Sequence, residues 1–403
     1  LDPLEFLRQL SAKEKSVCIF RNILAFNPAD KYILKAKDHV DLKPFQRFIS
    51  RNQKKRRLLI GYLSYDLGRI LHEVKSTAKD DLKLPDIYFL AFKNCITFEN
   101  KRTVVHFQNK NFPKLIAEIS KREITQPPKT KSKNFQPETT VRHYQSSYEK
   151  IKDYIRTGEI YQINLTHRLK AKTTAPSRHL FTKIAATNTV DFLSYLEGPN
   201  FEILSASPER FIRIKNRNIE TYPIKGTRPR GETLIQDKKL AVDLLKNTKE
   251  AAELNMITDL LRNDLNEVCT SGSVKVTIHR KLQKNPTVWH TFSKIIGKLT
   301  PKISTVDALL SMLPGGSIAG CPKKRAIEII DELEPTTRGI YTGTIGIIEP
   351  NGDLDFSIAI RTIIRKSDTL YLQVGGGIVY DSTKKAELRE TYDKAKSFMK
   401  ILK

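Results

Sequence analysis

Two pairs of glutamates have the spacing of side chains that share one helix face. Glu250 and Glu253 are three residues apart, and Glu387 and Glu390 repeat that spacing near the end of the chain. Four carboxylates brought together repel one another unless a cation joins them, and Mg²⁺ takes one or two protein carboxylates together with water and substrate oxygens. Spacing alone leaves two interpretations open: a magnesium site, or two ordinary charged helix faces in solvent.

A lysine lies inside the segment PIKGTRPRG, residues 223–231. Lys225 stands between an apolar residue and a glycine, and Thr227, Arg228 and Arg230 follow it. Burial disfavours the charged form of lysine, and a lysine whose pKa is lowered can act as a nucleophile or a base. The alternative is a loop lysine that points into solvent.

Two glycine-rich segments could bind an anion. In PGGSIAGCPK, residues 314–323, backbone N–H groups and the start of a helix would face a ligand, and Lys323 would add positive charge. The segment is not a P-loop, because the Gly-Lys-Ser/Thr ending is missing. GGGIVYDS, residues 375–382, predicts a tight turn shortly before Glu387.

Single polar residues also interrupt apolar runs: Glu209 in SASPERF, His290 in TVWHTF, Tyr341 in IYTGTIG and Arg361 in IAIRTI. A guanidinium in the middle of an apolar strand must find an anion, either a protein carboxylate or a carboxylate of a ligand. For His290, a hydrogen-bonded core histidine and a site residue both stay open.

The elements that must position these residues are helices and strands in alternation. Helical patterns cover Tyr144–Arg156, the stretch 236–265, the segment from Pro322 to about Leu333, and 384–402. Strand patterns cover 58–62, 86–92, 160–170, 201–214, 341–348, 355–364 and 370–374. Interleaved helices and strands with hairpin-like neighbours predict an α+β fold with mixed sheets.

The amino-acid composition limits the classes of protein to which the chain can belong. The chain has 403 residues, 39% of them hydrophobic and 28% charged, which is typical of a folded protein, and no apolar run is long enough to cross a membrane. The four cysteines (Cys18, Cys95, Cys269, Cys321) are too far apart in sequence for a zinc ribbon, so we expect a reducing cytoplasm. A net charge of +26 leaves a nucleic-acid-binding protein as a rival, although the lysines are scattered.

The organisation along the chain has one candidate break. Residues 121–142 are basic and contain three prolines, which predicts a linker or an exposed loop between 1–120 and 143–403. The start, LDPLEFLRQLSAKEK, does not resemble a signal peptide. Because it lacks an initiator Met, we expect a processed, trimmed or excised chain, with a fused arrangement left open.

The motifs together resemble the chorismate-utilising enzymes, over roughly residues 143–400 and in the family's order. They are GEIYQINL, SASPERF, PIKGTRPRG, EAAELNMITDLLRNDL, PTVWHTFSKI, PGGSIAGCPKKRAIEIIDELEP, RGIYTGTIG, FSIAIRT and GGGIVYDSTKKAELRETYDKA. IGYLSYDLGR, residues 60–69, also resembles the amine-forming members. The resemblance implies one large α+β fold, with two sheets packed face to face and helices outside (α/β/β/α). The N-terminal region would complete this fold, and the site would lie between the sheets near one end.

The resemblance also implies roles. Glu253 and Glu390 would bind Mg²⁺, with Glu250 and Glu387 as the outer members of their pairs, and the ion would hold a carboxylate of chorismate. Arg361 and Tyr341 would bind the enolpyruvyl side. Glu209 would protonate the departing C4 hydroxyl, with a pKa raised by burial, and His290 would assist. The remaining substrate-binding positions are Gln162, Thr227, Gly320, Lys323, Gly375, Gly376 and Gly377.

Two positions distinguish branches of the family. Water-adding isochorismate and salicylate synthases carry a lysine where this chain has Gln162, so the chain resembles the ammonia-using branch. There, PIKGT with Lys225 resembles the members that aminate chorismate at C4 to 4-amino-4-deoxychorismate, for p-aminobenzoate and folate synthesis, through a covalent lysine intermediate. Anthranilate synthase component I, which typically has PIAGT, is the alternative. The family loop more often has Ala where this chain has Cys321, a difference neutral for packing.

The resemblance implies a separate glutamine amidotransferase subunit as the source of ammonia, because no glutaminase-like Cys/His/Glu set is evident in the sequence. We expect neither nucleic acid nor a membrane among the partners.

Overall fold

The computed structural model describes residues 2–99, 102–124, 130–285 and 288–402. In these ranges the helices are α1 (Pro3–Gln9), α2 (Lys43–Lys54), α3 (Tyr65–Leu71), α4 (Phe112–Ile119), α5 (Val141–Arg156), α6 (Ser177–Thr187), α7 (Leu234–Lys246), α8 (Thr248–Val268), α9 (Thr305–Ser311), α10 (Lys323–Leu333) and α11 (Lys384–Met399). Short 3₁₀ helices cover Gly316–Ile318 and Lys400–Leu402.

The strands up to residue 221 are β1 (Cys18–Phe20), β2 (Ile23–Ala25), β3 (Asp30–Leu34), β4 (Leu58–Leu63), β5 (Ile87–Phe92), β6 (Cys95–Glu99), β7 (Arg102–His106), β8 (Gln136–Pro137), β9 (Gln162–Lys172), β10 (Phe192–Glu197), β11 (Glu202–Ser207), β12 (Arg210–Lys215) and β13 (Asn218–Thr221). Those that follow are β14 (Ile224–Pro229), β15 (Lys275–Lys284), β16 (Val288–Lys298), β17 (Gly320–Cys321), β18 (Thr344–Ile348), β19 (Leu354–Ile358), β20 (Thr362–Lys366) and β21 (Thr369–Ile378).

The described strands form two antiparallel sheets. The first has the order β17-β9-β21-β20-β11-β10-β1-β2-β6-β7, with β8 added beside β9. The second has the order β14-β16-β13-β12-β19-β18-β4-β5-β3, with β15 added beside β16. Strands from the first hundred residues continue both sheets, since β1 pairs with β10 and β4 pairs with β18.

Three apolar clusters define the layers. One contains side chains of both sheets, such as Phe20, Tyr62 and Ile203, and fills the space between them. A second packs α1, α4, α6 and α11 on the outer face of the first sheet, and a third packs helices including α2 and α8 on the outer face of the second. The predicted α+β fold, with two sheets face to face and helices outside, is therefore confirmed. The expectation of mixed sheets is wrong, because every pair of named strands in the described residues is antiparallel.

The basic stretch 121–142 carries structure in its described part. Phe135 is buried, β8 pairs with β9, and α5 begins at Val141 with a cap from the Thr140 hydroxyl. Two of the three prolines, Pro127 and Pro128, lie outside the described residues. The division into 1–120 and 143–403 stays a prediction.

Several predicted helices are confirmed with changed limits. α5 begins three residues before Tyr144, and α10 ends at Leu333 as expected. The stretch 236–265 contains two helices, because Asn247 ends α7 and its side chain accepts a hydrogen bond from the Glu250 N–H at the start of α8. Among the described helices, none has the length and apolar character that crossing a bilayer requires.

Two predicted strands are wrong as single elements. The stretch 201–214 divides into β11 in the first sheet and β12 in the second. The stretch 355–364 divides in the same way, into β19 in the second sheet and β20 in the first. Within each of these two stretches the chain therefore passes from one sheet to the other, at 208–209 and at 359–361.

The predicted tight turn at Gly375–Gly377 is also wrong. These glycines continue β21, where they pair with Thr166, Leu165 and Asn164 of β9. A Cβ atom at Gly375 would lie 2.7 Å from the Leu165 carbonyl oxygen. The run of glycines therefore lets strands and side chains approach closely.

Candidate active site

The candidate residues lie near one edge of each sheet. β9 and β21 lie at one end of the first sheet, and β14 and β16 lie at one end of the second. α8 contacts β14 and β16, and α11 contacts β21, so the two helices bring the glutamate pairs to these strands. The crossovers at 208–209 and 359–361 add Glu209 and Arg361.

Hydrogen bonds join the two crossovers. The backbone N–H of Ile358 donates to the Glu209 carbonyl at 3.0 Å, and the N–H of Ala206 donates to the Arg361 carbonyl at 3.0 Å. Arg361 has a φ of +50°, a left-handed conformation that is uncommon for a residue other than glycine. Arg361 thus lies in a crossover between β19 and β20. Its sequence context predicted a position in the middle of a strand.

Glu209 is buried, and burial raises its pKa to about 7. The Lys225 ammonium, the Ser317 hydroxyl and the Ile224 N–H act in the opposite direction, because they stabilise the carboxylate. A carboxyl group with this pKa can hold a proton near neutral pH and give it to a substrate oxygen. Ser317 lies in the PGGS segment, but nothing in its spacing marks it as a partner of Glu209.

Lys225 lies on β14, and its Nζ donates to Glu253 Oε1 at 2.7 Å. Burial by itself would lower the pKa of Lys225, but the Glu253 carboxylate, assisted by Glu209 and Glu390, reverses the effect and raises it. The expectation of a lowered pKa from burial is therefore wrong for this arrangement. The site brings the lysine and the predicted metal ligand into direct contact.

Gln162, at the start of β9, also contacts Glu253. Its Nε2 donates to Glu253 Oε1 at 3.3 Å, while its own Oε1 is buried without a hydrogen-bond partner among the described residues. A Cβ atom at Gly377 would lie 2.7 Å from Gln162 Nε2 and 2.9 Å from Glu253 Oε1. The glycine therefore preserves space beside the Glu253 carboxylate and the Gln162 amide nitrogen.

Each glutamate of the two pairs has a cationic neighbour: Arg228 is 3.4 Å from Glu250, Lys225 is 2.7 Å from Glu253, Lys249 is 3.3 Å from Glu387, and Lys394 is 2.8 Å from Glu390. Burial and the nearby Glu253 raise the pKa of Glu250. Burial also favours the neutral form of Glu390, but Lys394, Lys225 and Lys249 outweigh it and lower the pKa. Sequence reasoning missed Lys249 and Lys394, although each is four residues from a predicted ligand.

These residues fit a hard cation in kind. In the described part of the chain, no three His, Cys, Asp or Glu side chains are close enough to hold a metal ion by themselves. Mg²⁺ needs only one or two protein carboxylates, and its other ligands are water and substrate oxygens. The carboxylates of Glu253 and Glu387 both border glycines of β21, which leave room beside them.

His290 faces the lysine turn from β16. Its Nδ1 lies 3.2 Å from the Gly226 carbonyl oxygen and 3.0 Å from Thr227 Oγ1. Because a carbonyl only accepts, Nδ1 carries the hydrogen and Nε2 is left as an acceptor. Burial lowers the pKa of His290, which favours this neutral form.

The Arg361 guanidinium makes no hydrogen bond or ion pair with any other described residue. Burial lowers its pKa, and Glu209 is the carboxylate that acts against this effect. A half-buried cation without a fixed partner is suited to binding an anionic ligand. Tyr341 is buried and lies in the turn before β18, where its N–H donates to the Arg338 carbonyl at 3.1 Å.

Two predicted binding residues have other contacts. Lys323 Nζ is 2.8 Å from Asp264 Oδ2 on α8, so its charge is already paired. Gly320 packs against β9, where a Cβ atom would lie 2.3 Å from the Gln162 carbonyl oxygen. The structure thus shows Gly320 in a packing contact and Lys323 in an ion pair.

A cavity of about 670 Å³ lies elsewhere, lined by residues that include Arg21, Phe92, Arg213, Glu349 and Asp355. None of the predicted site residues lines it.

Comparison with known proteins agrees with the fold and with the motifs. The family model of chorismate binding enzymes matches residues 8–400. Aminodeoxychorismate synthase component 1 of Bacillus subtilis is 37% identical over 358 residues, 85% of this chain and 76% of the relative. Anthranilate synthase component 1 of Lactococcus lactis is 34% identical over 360 residues, 85% of this chain and 78% of the relative.

A solved structure is similar along almost the whole chain. Anthranilate synthase component I from Streptococcus pneumoniae superposes with a TM-score of 0.82 at 28% identity, covering 99% of this chain and 97% of that one. The family match spans nearly all of the sequence, and two relatives exceed 30% identity over most of it. The chain therefore belongs to the chorismate binding enzyme family.

Proposed function

We propose that this enzyme aminates chorismate at C4 and forms 4-amino-4-deoxychorismate. The observation that carries the proposal is the lysine at position 225, half-buried beside Glu253 and within electrostatic reach of Glu209. An amine in this position can form a bond to the substrate, and Glu209, whose pKa is about 7, can supply a proton to a leaving hydroxyl. The named relative from Bacillus subtilis supports this choice.

The reaction proceeds in two displacements. Lys225 first loses its proton, for which Glu253 Oε1 at 2.7 Å is the nearest acceptor. Its nitrogen then bonds to C2 of chorismate, both ring double bonds shift, the C4–O bond breaks, and the hydroxyl leaves as water with the proton of Glu209. Ammonia next bonds to C4, both double bonds return, and the C2–N bond to Lys225 breaks. The new C4 amine gives a proton back to Glu209, and Lys225 recovers its proton from Glu253. The sum is chorismate and ammonia giving 4-amino-4-deoxychorismate and water.

The other residues bind and orient the substrate. Glu253 and Glu390, with Glu250 and Glu387 outside them, would hold Mg²⁺, which when bound would neutralise a carboxylate of chorismate. Arg361, which has no fixed partner among the described residues, would pair with the other carboxylate, on the enolpyruvyl side. His290 would accept a hydrogen bond through Nε2.

Ammonia needs a source, and we propose a glutamine amidotransferase subunit as the partner. The product would then serve p-aminobenzoate and folate synthesis. Gln162 supports ammonia over water as the nucleophile, because an amide cannot remove a proton from water as a lysine amine can.

Anthranilate synthesis is the second candidate, since relatives with that name are almost as similar to this chain. The two reactions differ in the carbon that receives ammonia. When Lys225 occupies C2, ammonia must enter at C4.

One assay separates them. The chain is incubated with chorismate, ammonium and Mg²⁺, and anthranilate fluorescence is recorded before a lyase specific for 4-amino-4-deoxychorismate is added. We expect no anthranilate, and p-aminobenzoate only after the lyase. Anthranilate formed without the lyase would overturn the proposal in favour of the second candidate.

A further inference from the structure

The two glutamate pairs are electrically balanced by the chain itself. Each of the four carboxylates has its own lysine or arginine within 4 Å, the longest separation being 3.4 Å. A divalent cation that binds here would therefore meet carboxylates that already hold positive groups. It must compete with them or displace them.

Lys394 has the surroundings that a hard cation would have. Its Nζ is 2.8 Å from Glu390 Oε1 and donates to the Gly375 carbonyl oxygen at 3.0 Å. Carboxylate and carbonyl oxygens are the ligands that hard divalent cations bind. A Cβ atom at Gly376 would lie 3.9 Å from this Nζ and 3.5 Å from Glu387 Oε2, so the ammonium and the Glu387 carboxylate border the same glycine.

Lys249 extends the same arrangement to the other helix. It projects from α8, and its Nζ is 3.3 Å from Glu387 Oε1 on α11. Its charge also interacts with Glu253 and Glu390. One ammonium thus links the two helices that carry the glutamate pairs.

We propose that Lys394, assisted by Lys249, is an internal counter-ion of the metal site. In the metal-free enzyme the Lys394 ammonium is paired with the Glu390 carboxylate, and it moves away when Mg²⁺ binds. The inference rests on the proposed function insofar as that function uses Mg²⁺. It makes these lysines positioning residues that weaken metal binding. Removing the Lys394 ammonium should therefore tighten Mg²⁺ binding. If the ion pair only stabilised the site, its loss would weaken Mg²⁺ binding instead.

Calorimetric titration with Mg²⁺ alone, in the absence of substrate, tests this. We expect Lys394→Met to lower the Kd for Mg²⁺ about fivefold, the order of effect for one half-exposed ion pair, and Lys249→Met to lower it in the same direction. Lys394→Arg keeps the charge and should stay near the wild-type Kd. The matched control is Lys384→Met on the same helix, whose ion pair with Glu149 lies at the surface and should leave the Kd unchanged.

Circular dichroism of each variant checks that the overall helix content is that of the wild type. An unchanged or weaker Mg²⁺ affinity in a folded Lys394→Met variant overturns the inference, and so does the absence of Mg²⁺ binding in every variant. The product assay above is independent of these titrations. Formation of 4-amino-4-deoxychorismate with unaltered Mg²⁺ affinity would therefore leave the proposed function standing and remove only this inference.

Discussion

Glu209 is held in surroundings that favour its protonated form. Burial raises its pKa from 4.5 to about 7. Between these two values the folded chain keeps a proton that the unfolded chain has lost. The stabilisation from this proton is complete below pH 4.5 and disappears as the pH rises through about 7.

The proposed acid role of Glu209 predicts a pH profile. Turnover should fall as the pH rises through about 7, because the group that protonates the C4 hydroxyl is then ionised. Glu209→Gln should reduce kcat by about 10²- to 10⁴-fold, the usual contribution of a general acid. Measuring kcat from pH 5.5 to pH 9 gives both results (a range of about one and a half units below and two above the pKa).

Glu349→Gln is the control for that profile. Burial also raises the pKa of Glu349, but this residue lines the cavity away from the site. It should keep the wild-type rate and the decline near pH 7. A Glu209→Gln enzyme that retains full rate would exclude the acid role.

At the residue scale, sequence motifs indicated which side chains belong together but not how they are paired. Lys249 and Lys394 contact the glutamates, yet a lysine four residues from a glutamate is also the ordinary pattern of a solvated helix. For Lys323 the sequence predicted a free charge for an anionic ligand, but Asp264 on α8, which is distant in sequence, forms an ion pair with it. Only the tertiary fold decides which of these charges meet.

At the element scale, the start of α8 determines where the first glutamate pair lies. Asn247 lies between α7 and α8, and its side chain caps the Glu250 N–H at 2.9 Å. Capping fixes the first turn, which carries Glu250, and the next turn carries Glu253. The helical pattern over 236–265 did not predict this break, because apolar spacing continues through both helices.

Loss of this cap should destabilise the protein. We expect Asn247→Ala to lower the free energy of unfolding by about 1 kcal/mol, the usual loss for an N-cap side chain. Asn247→Ser, which keeps an acceptor oxygen, should stay close to wild type. Urea unfolding curves measure both, and equal stability of the alanine and serine variants would contradict the capping role.

The two crossovers could not be predicted from local pattern. Phe356, Ile358 and Ile360 alternate as they would in a single strand, so nothing in the spacing marks the change of sheet. The change is stabilised by tertiary hydrogen bonds such as that from Ile358 to the Glu209 carbonyl. The strand order and the positions of Glu209 and Arg361 follow from these bonds.

At the scale of the whole molecule, the net charge of +26 contrasts with the balanced charges of the glutamate pairs. Surface lysines far from the site cannot take part in the chemistry, but their summed field attracts an anion. Chorismate is a dianion. The charge is therefore expected to act on the encounter with substrate and not on the steps that follow.

Salt should separate these two stages. Raising the ionic strength from about 0.01 M to about 0.15 M shortens the screening length from about 30 Å to about 8 Å. We expect kcat/KM for chorismate to fall roughly threefold while kcat stays constant. Steady-state kinetics at saturating Mg²⁺ checks this, and a kcat/KM independent of salt would show that the surface charge does not steer the substrate.

The central claim is that Lys225 is the nucleophile that directs ammonia to C4. The most direct test is the rate at which Lys225→Ala and Lys225→Arg form 4-amino-4-deoxychorismate, measured by chromatography with mass detection. The arginine variant keeps a positive partner for Glu253, so it controls for the loss of the ion pair. The account predicts that both variants lose almost all of this product, and that ammonia is diverted to C2 in Lys225→Ala. The same product at the wild-type rate from either variant would contradict it.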